Sequence, residues 1–455
     1  MAGAWRTGAA LRPSVSFGRC ERCLAPTLLR ASENGRLCHS CMAWDRAIEQ
    51  ATNAEPAVRE HLYGSSTGKV VRREEAGRGW TLPSSPADRP LRIALLAPPW
   101  IPVPPTGYGG IESVVAFLAD ALVEAGHDVT LFAAPGSRSR ARVITPLDRT
   151  HPDEIGASVV EADHVARAFL EIERAADDGR PFDLVHDHSG WVALAMADRL
   201  PVPVLHTVHG SFDENAKRFY AAHGFKAALS CISRAQAATR PEGVRIDAIV
   251  PNPINVSEWP FGLEKDDYLL WVGRFNPDKG PHRAIRVAKA TDRRLILAGP
   301  VQPGQEQFFA ECVEPHLDGR QIQYVGEVGG RRKHELFARA SAFLMPITWE
   351  EPFGMVMVEA MAAGTPVIAF ARGSAPEVIE PGRSGLLVAD EEAMADAILD
   401  AEDLSPEECR ASAAERFSPQ AVAQRYEDVY RAIAMPLTVD TPLLADADHE
   451  EALAA

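Results

Sequence analysis

Phe343-Leu-Met-Pro346-Ile-Thr-Trp-Glu-Glu351-Pro-Phe-Gly354-Met-Val-Met-Val-Glu359-Ala-Met-Ala-Ala-Gly364-Thr-Pro-Val367-Ile-Ala-Phe370 reads as strand, loop, helix, strand. The helix begins near Met355 and stops at Gly364, with Thr365-Pro366 closing it. Met355, Val356, Met357, Val358, Ala360, Met361 and Ala362 make it apolar on nearly every side, as a buried helix should be. A loop carboxylate, Glu351, is followed eight positions on by a helical one, Glu359. Carboxylates are rarely buried without a partner, because an unpaired buried charge is costly. Glu359 therefore needs donors, supplied either by the protein or by a ligand that carries hydroxyls. Glu351 lies where a strand ends and a helix begins, the place where open parallel sheets take ligands. Free backbone N–H groups near Phe353, Gly354 and Met355 can meet an anion there. A bland alternative stays open on these residues alone: Glu351 caps the helix and Glu359 is paired internally.

Working outward, Tyr268-Leu-Leu-Trp-Val272 is another apolar strand. It runs into Gly273-Arg274-Phe-Asn-Pro-Asp278-Lys279-Gly280-Pro281, and the proline signals a helix start. Two cations, Arg274 and Lys279, then stand near a helix N-terminus that already carries partial positive charge. An anion such as a diphosphate between them would account for the arrangement. A surface cluster with Asp278 as capping and ion-pair partner would account for it as well.

The same alternation recurs through the chain. Strands are expected at 268–272, 294–298, 322–325, 343–346 and 367–370, with a short sixth at Leu386-Leu-Val388. Upstream, Arg92 to Ala97 is a strand, Pro98 to Gly110 a long loop, Ile111 to Ala125 a helix and Asp128 to Ala133 a strand, which is a βαβ unit. Further strands are expected at Leu184–His186, Pro203–Val208, Ala228–Ser233 and Ala248–Val250, and a last helix at Pro419–Ala434. Ser257 to Lys265 is the expected interdomain crossing. The fold class is therefore α/β: two doubly wound, Rossmann-like domains, 91–262 and 263–416, facing a cleft, followed by a helix at 417–435. In the first domain, Gly107-Tyr-Gly109-Gly110-Ile-Glu112 puts glycines just before a helix, where a backbone can approach a ligand closely. The spacing is not that of a dinucleotide fingerprint. His186-Asp187-His188 and His206-Thr-Val-His209-Gly210 each end a strand. They could serve as metal ligands, as acid–base groups or as satisfied polar residues.

At 455 residues the chain suits two or three domains. No run reaches the ~18 apolar residues of a membrane span, and Met1 to Arg12 lacks the apolar centre of a signal peptide. The expected location is the cytoplasm. A formal charge of −16 argues against nucleic acid as an electrostatic partner, though not against a small phosphate in a local positive pocket. Charge is uneven: residues 1–90 carry thirteen basic and nine acidic groups, a net of +4, and the remainder is near −20. Four of the seven cysteines form Cys20-Glu-Arg-Cys23 and Cys38-His-Ser-Cys41, a structural-zinc spacing one residue short of the usual central gap. A hairpin with its turn at Asn34-Gly35 is expected between the pairs, giving a zinc-ribbon-like module over 1–42. Such a module suits a protein partner. A charged helix over Ala43–Leu62 and a Gly/Ser/Arg/Pro-rich linker to Pro90 follow. The acidic stretch 436–455 is expected to be disordered, and Asp446-Ala-Asp448 within it to be solvated rather than metal-binding.

From Leu91 to Ala434 these features resemble glycosyltransferase family 4, a retaining group with the GT-B fold. The resemblance rests on Gly109-Gly110-Ile-Glu112, Thr207-Val-His209-Gly210, Gly273-Arg274…Asp278-Lys279-Gly280, the Glu351/Glu359 pair, and Pro376-Glu377-Val378 before Pro381-Gly-Arg-Ser-Gly385. Trp349-Glu-Glu-Pro-Phe-Gly354 and the Ala97-Pro-Pro-Trp run are similar to the branch with antibiotic-tailoring members. The resemblance implies transfer of a sugar from a nucleotide-diphosphate sugar to an acceptor hydroxyl with retained anomeric configuration, and no metal in catalysis. It implies that Arg274 and Lys279 hold the diphosphate and that Glu351 orients the donor sugar. Glu359 would accept from the ribose hydroxyls. The N–H groups of Phe353, Gly354 and Met355 would assist, Gly110 would approach the phosphate, and His209 would stand near the reaction centre. Nucleobase contacts would come from loops around Gly299 and Val325–Val328. The acceptor is left open.

The chain departs from many relatives at Asn252-Pro253, where they carry Asn-Gly, and in its cysteine-rich extension. Two other functions stay open: a GT-B sugar-nucleotide epimerase, and a non-catalytic sugar-nucleotide-binding protein whose zinc module engages a partner.

Overall fold

The protein's computed structural model describes residues 89–107 and 109–434 in full, and the backbone of 15–19, 26–32 and 35–37. Cys20, Cys23, Cys38 and Cys41, the expected helix at 43–62, all but the last residues of the expected linker, Tyr108 and the acidic stretch 436–455 lie outside the described residues. The chain divides into two compact units, 1–83 and 84–455.

In the first unit, β1 (Val15–Arg19), β2 (Pro26–Ser32) and β3 (Gly35–Leu37) form an antiparallel sheet in the order β1-β2-β3. Ser32 pairs with Gly35, so the hairpin turn falls one residue earlier than Asn34-Gly35. Arg19 pairs with Pro26 and Leu37 with Arg30, so β1 and β3 run in the same direction and end toward the same edge of this sheet.

The second unit holds two parallel sheets. The first contains β4 (Arg92–Leu96), β5 (Asp128–Phe132), β6 (Arg142–Ile144), β7 (Leu184–Asp187), β8 (Val204–Val208), β9 (Ala228–Cys231) and β10 (Ala248–Ile249), in the order β10-β9-β8-β7-β4-β5-β6. The second contains β11 (Leu269–Val272), β12 (Leu295–Ala298), β13 (Ile322–Tyr324), β14 (Ala342–Met345), β15 (Val367–Phe370) and β16 (Gly385–Val388), in the order β13-β12-β11-β14-β15-β16. The central strands are buried on both faces and mostly apolar, with His186-Asp187 of β7 and His206-Thr207 of β8 as buried polar exceptions, which suits sheets covered by helices on each side. Each domain starts mid-sheet, builds to one side, then returns to build the other. The reversals lie between β4 and β7 and between β11 and β14, and it is outside such points that doubly wound sheets leave a crevice. The α/β expectation holds in both halves, with boundaries at most two residues from those read in the sequence. Strand β6 and the helix Ser158–Asp177 add to it.

After Phe417 the chain crosses back. The helix Pro419–Ala434 packs Val422, Tyr426 and Tyr430 into the core of the first domain, with Leu118 and Leu122 of the helix Gly110–Glu124. A second tie joins the domains: Glu377, from the second, accepts hydrogen bonds from Arg234 N (2.8 Å) and Ala235 N (2.7 Å) at the start of a first-domain helix. No helix of the described residues is long and apolar enough to cross a membrane.

Candidate active site

The second-domain cluster is assembled at the β11/β14 reversal. After β11, Gly280 takes a left-handed conformation (φ 74°) and ends the loop, and Pro281 begins the helix Pro281–Ala290. No side chain caps that helix, so Asp278 is not its cap. The Asp278 carbonyl instead accepts from Thr348 N at 3.0 Å, linking this loop to the one after β14. Lys279 is fixed through its backbone: its N–H donates to Asn276 Oδ1 (2.9 Å) and its carbonyl accepts from Trp271 Nε1 (3.1 Å). Its ammonium is ion-paired with Glu351 and lies 4.6 Å from the centre of the Trp349 ring. Arg274 is exposed and has no hydrogen bond or ion pair among the described residues. Arg274 and Lys279 share the wall of a cavity of about 190 Å³ with Gly273, Met345 and Val356.

Glu351 is held by a loop that only glycine could close. Gly354 has φ 75°, and a Cβ there would lie 2.7 Å from Met357 Cε and 3.0 Å from Met345 Cε. Gly354 precedes the helix Met355–Ala362, whose first turn carries neither a side-chain cap nor an acid; the Met357 N–H donates to the Gly354 carbonyl (2.9 Å), and no side chain takes the N–H groups of Met355 and Val356. Phe353 is buried, with its carbonyl accepting from Ser374 Oγ at 2.7 Å. The expectation that Glu359 sits in a buried helix holds, since Met357, Val358, Ala360 and Met361 are fully enclosed. Its carboxylate is half satisfied: Oε1 accepts from Lys333 Nζ at 2.7 Å, and Oε2 is buried with no hydrogen-bond partner. The protein supplies a donor to one oxygen and, among the described residues, none to the other.

Gly110 and His209 belong to the first domain. Gly110 opens the helix after β4, and a Cβ there would meet nothing within 4 Å. The constrained glycine is its neighbour Gly109 (φ 153°), where a Cβ would lie 2.7 Å from Ile101 Cδ1 and 2.8 Å from Pro105 Cβ. His209 follows β8 and is half-buried, its Nε2 2.8 Å from His188 Nδ1. His188 Nε2 in turn lies 3.3 Å from His186 Nδ1, which lies 2.7 Å from Tyr430 Oη. His186 Nε2 is 2.8 Å from Thr207 Oγ1, and Thr207 reaches Tyr426. His206 is held between Asp187 (2.6 Å) and Tyr220 (2.9 Å). His186, His188 and His206 are therefore satisfied polar residues, and the described residues contain no group of His, Cys, Asp or Glu arranged to hold a metal. Burial, reinforced by the neighbouring imidazoles, pushes the His186 and His188 rings well below the ordinary histidine range and His209 down to about 3. His209 is thus a neutral imidazole at physiological pH.

The site residues therefore fall into two sets at the carboxyl ends of the two sheets. Arg274, Lys279, Glu351, Phe353, Gly354, Met355 and Glu359 belong to the second domain, and Gly110 and His209 to the first. Among the described residues no hydrogen bond or ion pair joins the sets. Sequence reasoning missed Lys333, which lies in the polar run Arg331-Arg332-Lys333 of an exposed helix. It also missed Trp349, whose buried Nε1 has no partner.

A family model described as glycosyl transferases group 1 matches residues 256–418, and one described as Glycosyltransferase Family 4 matches residues 108–257. The chain is 26% identical to a glycogen synthase of Mycobacterium tuberculosis over 336 residues, 62% of this chain and 79% of the relative. It is 29% identical to a D-inositol 3-phosphate glycosyltransferase of Frankia alni over 349 residues, 63% of this chain and 84% of the relative. Among solved structures, sucrose-phosphate synthase from Thermosynechococcus elongatus shares the fold at 22% identity, with a TM-score of 0.58 over 75% of this chain and 98% of that one. AviGT4, a glycosyltransferase involved in avilamycin A biosynthesis, aligns at 30% identity with a TM-score of 0.58, over 76% of this chain and 98% of its own. With both halves of its GT-B fold matched and one such relative spanned almost end to end, the chain belongs to glycosyltransferase family 4.

Proposed function

We propose that the protein is a retaining hexosyltransferase that takes its sugar from a nucleoside diphosphate sugar. The observation that carries this is the pairing pattern of the second domain. Lys279 is occupied by Glu351, and among the described residues Arg274 has no partner and Glu359 keeps one buried oxygen unsatisfied. A nucleoside diphosphate sugar meets all three conditions. Its diphosphate takes Arg274 and Lys279 together with the open N–H groups at Met355. Glu351, released from Lys279, accepts from a sugar hydroxyl. Glu359 Oε2 accepts from a ribose hydroxyl. The acceptor O–H then attacks the anomeric carbon on the face that the diphosphate leaves, the C–O bond to phosphate breaks, and the proton passes to the departing phosphate oxygen. Two protein cations balance the charge that develops on the leaving group, so this scheme calls on no metal. Neutral His209 can orient the acceptor by hydrogen bonding.

The test is a thermal-shift panel of UDP, GDP, ADP, CMP and dTDP with a chelator present, then NMR of the product anomer. A ligand that binds only the native state must raise the melting temperature. One diphosphate should do so, and Arg274→Ala and Lys279→Ala should each lower turnover by about 10²–10³-fold. An inverted anomeric centre in the product would sink the retaining mechanism.

We further propose a structural zinc on Cys20, Cys23, Cys38 and Cys41. In the sequence Cys20 directly follows Arg19, the last residue of β1, and Cys38 directly follows Leu37, the last of β3. Those strands end toward the same edge of the small sheet, which suits four thiolates closing on one ion. Metal analysis of the purified chain should find one zinc per molecule, lost in the Cys38→Ser/Cys41→Ser variant. Retention of zinc by that variant would refute the assignment.

A further inference from the structure

The first domain carries a cavity of about 380 Å³ outside the donor residues, at the carboxyl ends of β7 and β8. Its inner wall includes His188 and His209, and Trp100 and Trp191 are among its lining residues. The chemistry of that lining is lopsided. Among the described residues that line it there is no lysine or arginine. Its two carboxylates are already engaged in capping: Glu161 accepts from Val192 N (2.8 Å), and Asp213 accepts from Asn215 N (2.9 Å) and Ala216 N (2.8 Å). Two of its imidazoles, His188 and His209, are held neutral by burial and bring no positive charge, and both ring nitrogens of the third, His206, are already taken by Asp187 (2.6 Å) and Tyr220 (2.9 Å). Trp191 is 45% exposed, with its ring set edge-on to Phe219 at 4.9 Å, and Ile155 beside it is 58% exposed. Ser189, Ser211 and His209 supply neutral hydrogen-bonding groups.

From this lining we infer that the acceptor is an uncharged, hydroxylated ring compound with an apolar face, and that phosphorylated or carboxylated acceptors are excluded. The inference rests on the glycosyltransferase reading and narrows it. A phosphate entering this cavity would lose its water and find no cation, next to two fixed carboxylates, and such a loss is not repaid without a partner charge. An uncharged polyol loses only neutral hydrogen bonds, which the serines and His209 can replace. The apolar side of its ring, or of an attached aglycone, can cover the Trp191 indole. Specificity here is thus set as much by what the cavity lacks as by what it offers.

The experiment uses the full-length protein saturated with whichever nucleoside diphosphate raises its melting temperature. Saturation-transfer NMR then compares matched probes, phenyl β-D-glucoside against its 6-phosphate and myo-inositol against a myo-inositol monophosphate. The neutral members are expected to bind at least about tenfold more tightly than their phosphorylated partners. Trp191→Ala should abolish the neutral signals and leave nucleotide affinity unchanged, since Trp191 is on the other domain. Ser211→Arg, at an exposed position, should admit the phosphorylated members. Equal or tighter binding of the phosphorylated probes, or no binding of either neutral probe, overturns the inference. A protein that binds no nucleotide at the first step fails the glycosyltransferase reading itself, and the two failures are read separately.

Discussion

Lys333 and Glu359 are joined by a 2.7 Å contact between Nζ and Oε1, while Oε2 of the same carboxylate is buried and unpartnered. The ammonium anchors one oxygen of the carboxylate in an apolar helix, and the other oxygen has no hydrogen-bond partner among the described residues. Glu359→Gln should weaken nucleoside diphosphate binding by about 1.5–3 kcal/mol, the range of a hydrogen bond to a charged group. Lys333→Met should weaken it too, through loss of the anchored geometry. The two changes should be less than additive, because they remove one arrangement. Titration calorimetry with ribo- and 3′-deoxy-nucleoside diphosphates checks this. Wild type should discriminate between them and the Glu359→Gln variant should not.

Lys279 is ion-paired with Glu351, and the proposed transfer requires both to turn to the donor when it binds. Lys279→Ala should lower kcat by about 10²–10³-fold, as removal of a leaving-group stabiliser does. It should also lower the melting temperature of the ligand-free protein, because Glu351 is then a largely buried carboxylate without its cation. A nucleoside diphosphate should restore little of that loss. A variant with wild-type kcat would remove Lys279 from the mechanism.

Much of this site was legible because it breaks patterns. Two carboxylates flanking an apolar helix, and two cations at a helix start, contradict what burial and the helix dipole favour, and the contradiction can be seen without coordinates. Lys333 conforms to its surroundings, a polar face of an exposed helix, so nothing marks it until the fold brings it 26 positions along the chain to Glu359. The histidines show the opposite limit. Their clustering is visible, but whether they face a metal, a substrate or one another depends on partners such as Tyr430, 244 residues from His186. The apolar spacing of Val422, Tyr426 and Tyr430 marks a buried helical face, and only the structure shows that the first domain buries it. The helix Ser158–Asp177 did carry a signal, in Val165, Ala168, Phe169 and Ile172. Strand β6 carried almost none, being three residues long with an exposed first residue.

Acid should destabilise the fold through its buried imidazoles. His209 is pushed down to about 3 and His164 to about 4, chiefly by burial, and His186 and His188 also lie well below the ordinary 6.5. In the unfolded chain these groups take up protons near pH 6.5, whereas in the folded chain they do not. Their contribution is complete above pH 6.5 and is lost as the pH falls from there toward about 4. Glu112 and Glu161, raised by burial, act in the opposite sense and blunt the slope. A fall in Tm of about 5 °C or more between pH 7 and pH 5 is expected. His164→Gln should flatten it. A flat profile in the wild type would mean that the imidazoles are solvated.

Gly354 is the point where backbone geometry and chemistry meet. At φ 75° an alanine is strained by about 1–2 kcal/mol, and its methyl would press on Met357 and Met345. The loop that carries Glu351 must shift to relieve it. Gly354→Ala should therefore raise the donor KM by more than its loss of stability explains. Gly110→Ala should fold normally, since its Cβ meets nothing within 4 Å in the ligand-free protein. If Gly110 lies against the donor phosphate, the added methyl will still raise KM.

Glu377 gives the domains a defined contact, with two backbone N–H groups of a first-domain helix donating to one second-domain carboxylate. Ser233 caps the same helix from its own domain, accepting from Gln236 N at 2.9 Å, so loss of Glu377 should not unravel it. Glu377→Ala should cost about 1 kcal/mol, as loss of a capping group does. The greater effect should fall on domain geometry. Without this tie, the crossing before β11 and the return after Phe417 remain as the covalent links, and the pair is freer to open. Small-angle scattering of the variant should show a larger radius of gyration that a bound nucleoside diphosphate only partly reverses. An unchanged radius with an unchanged donor KM would mean that the packing of Pro419–Ala434 on the first domain is enough to set the domain angle.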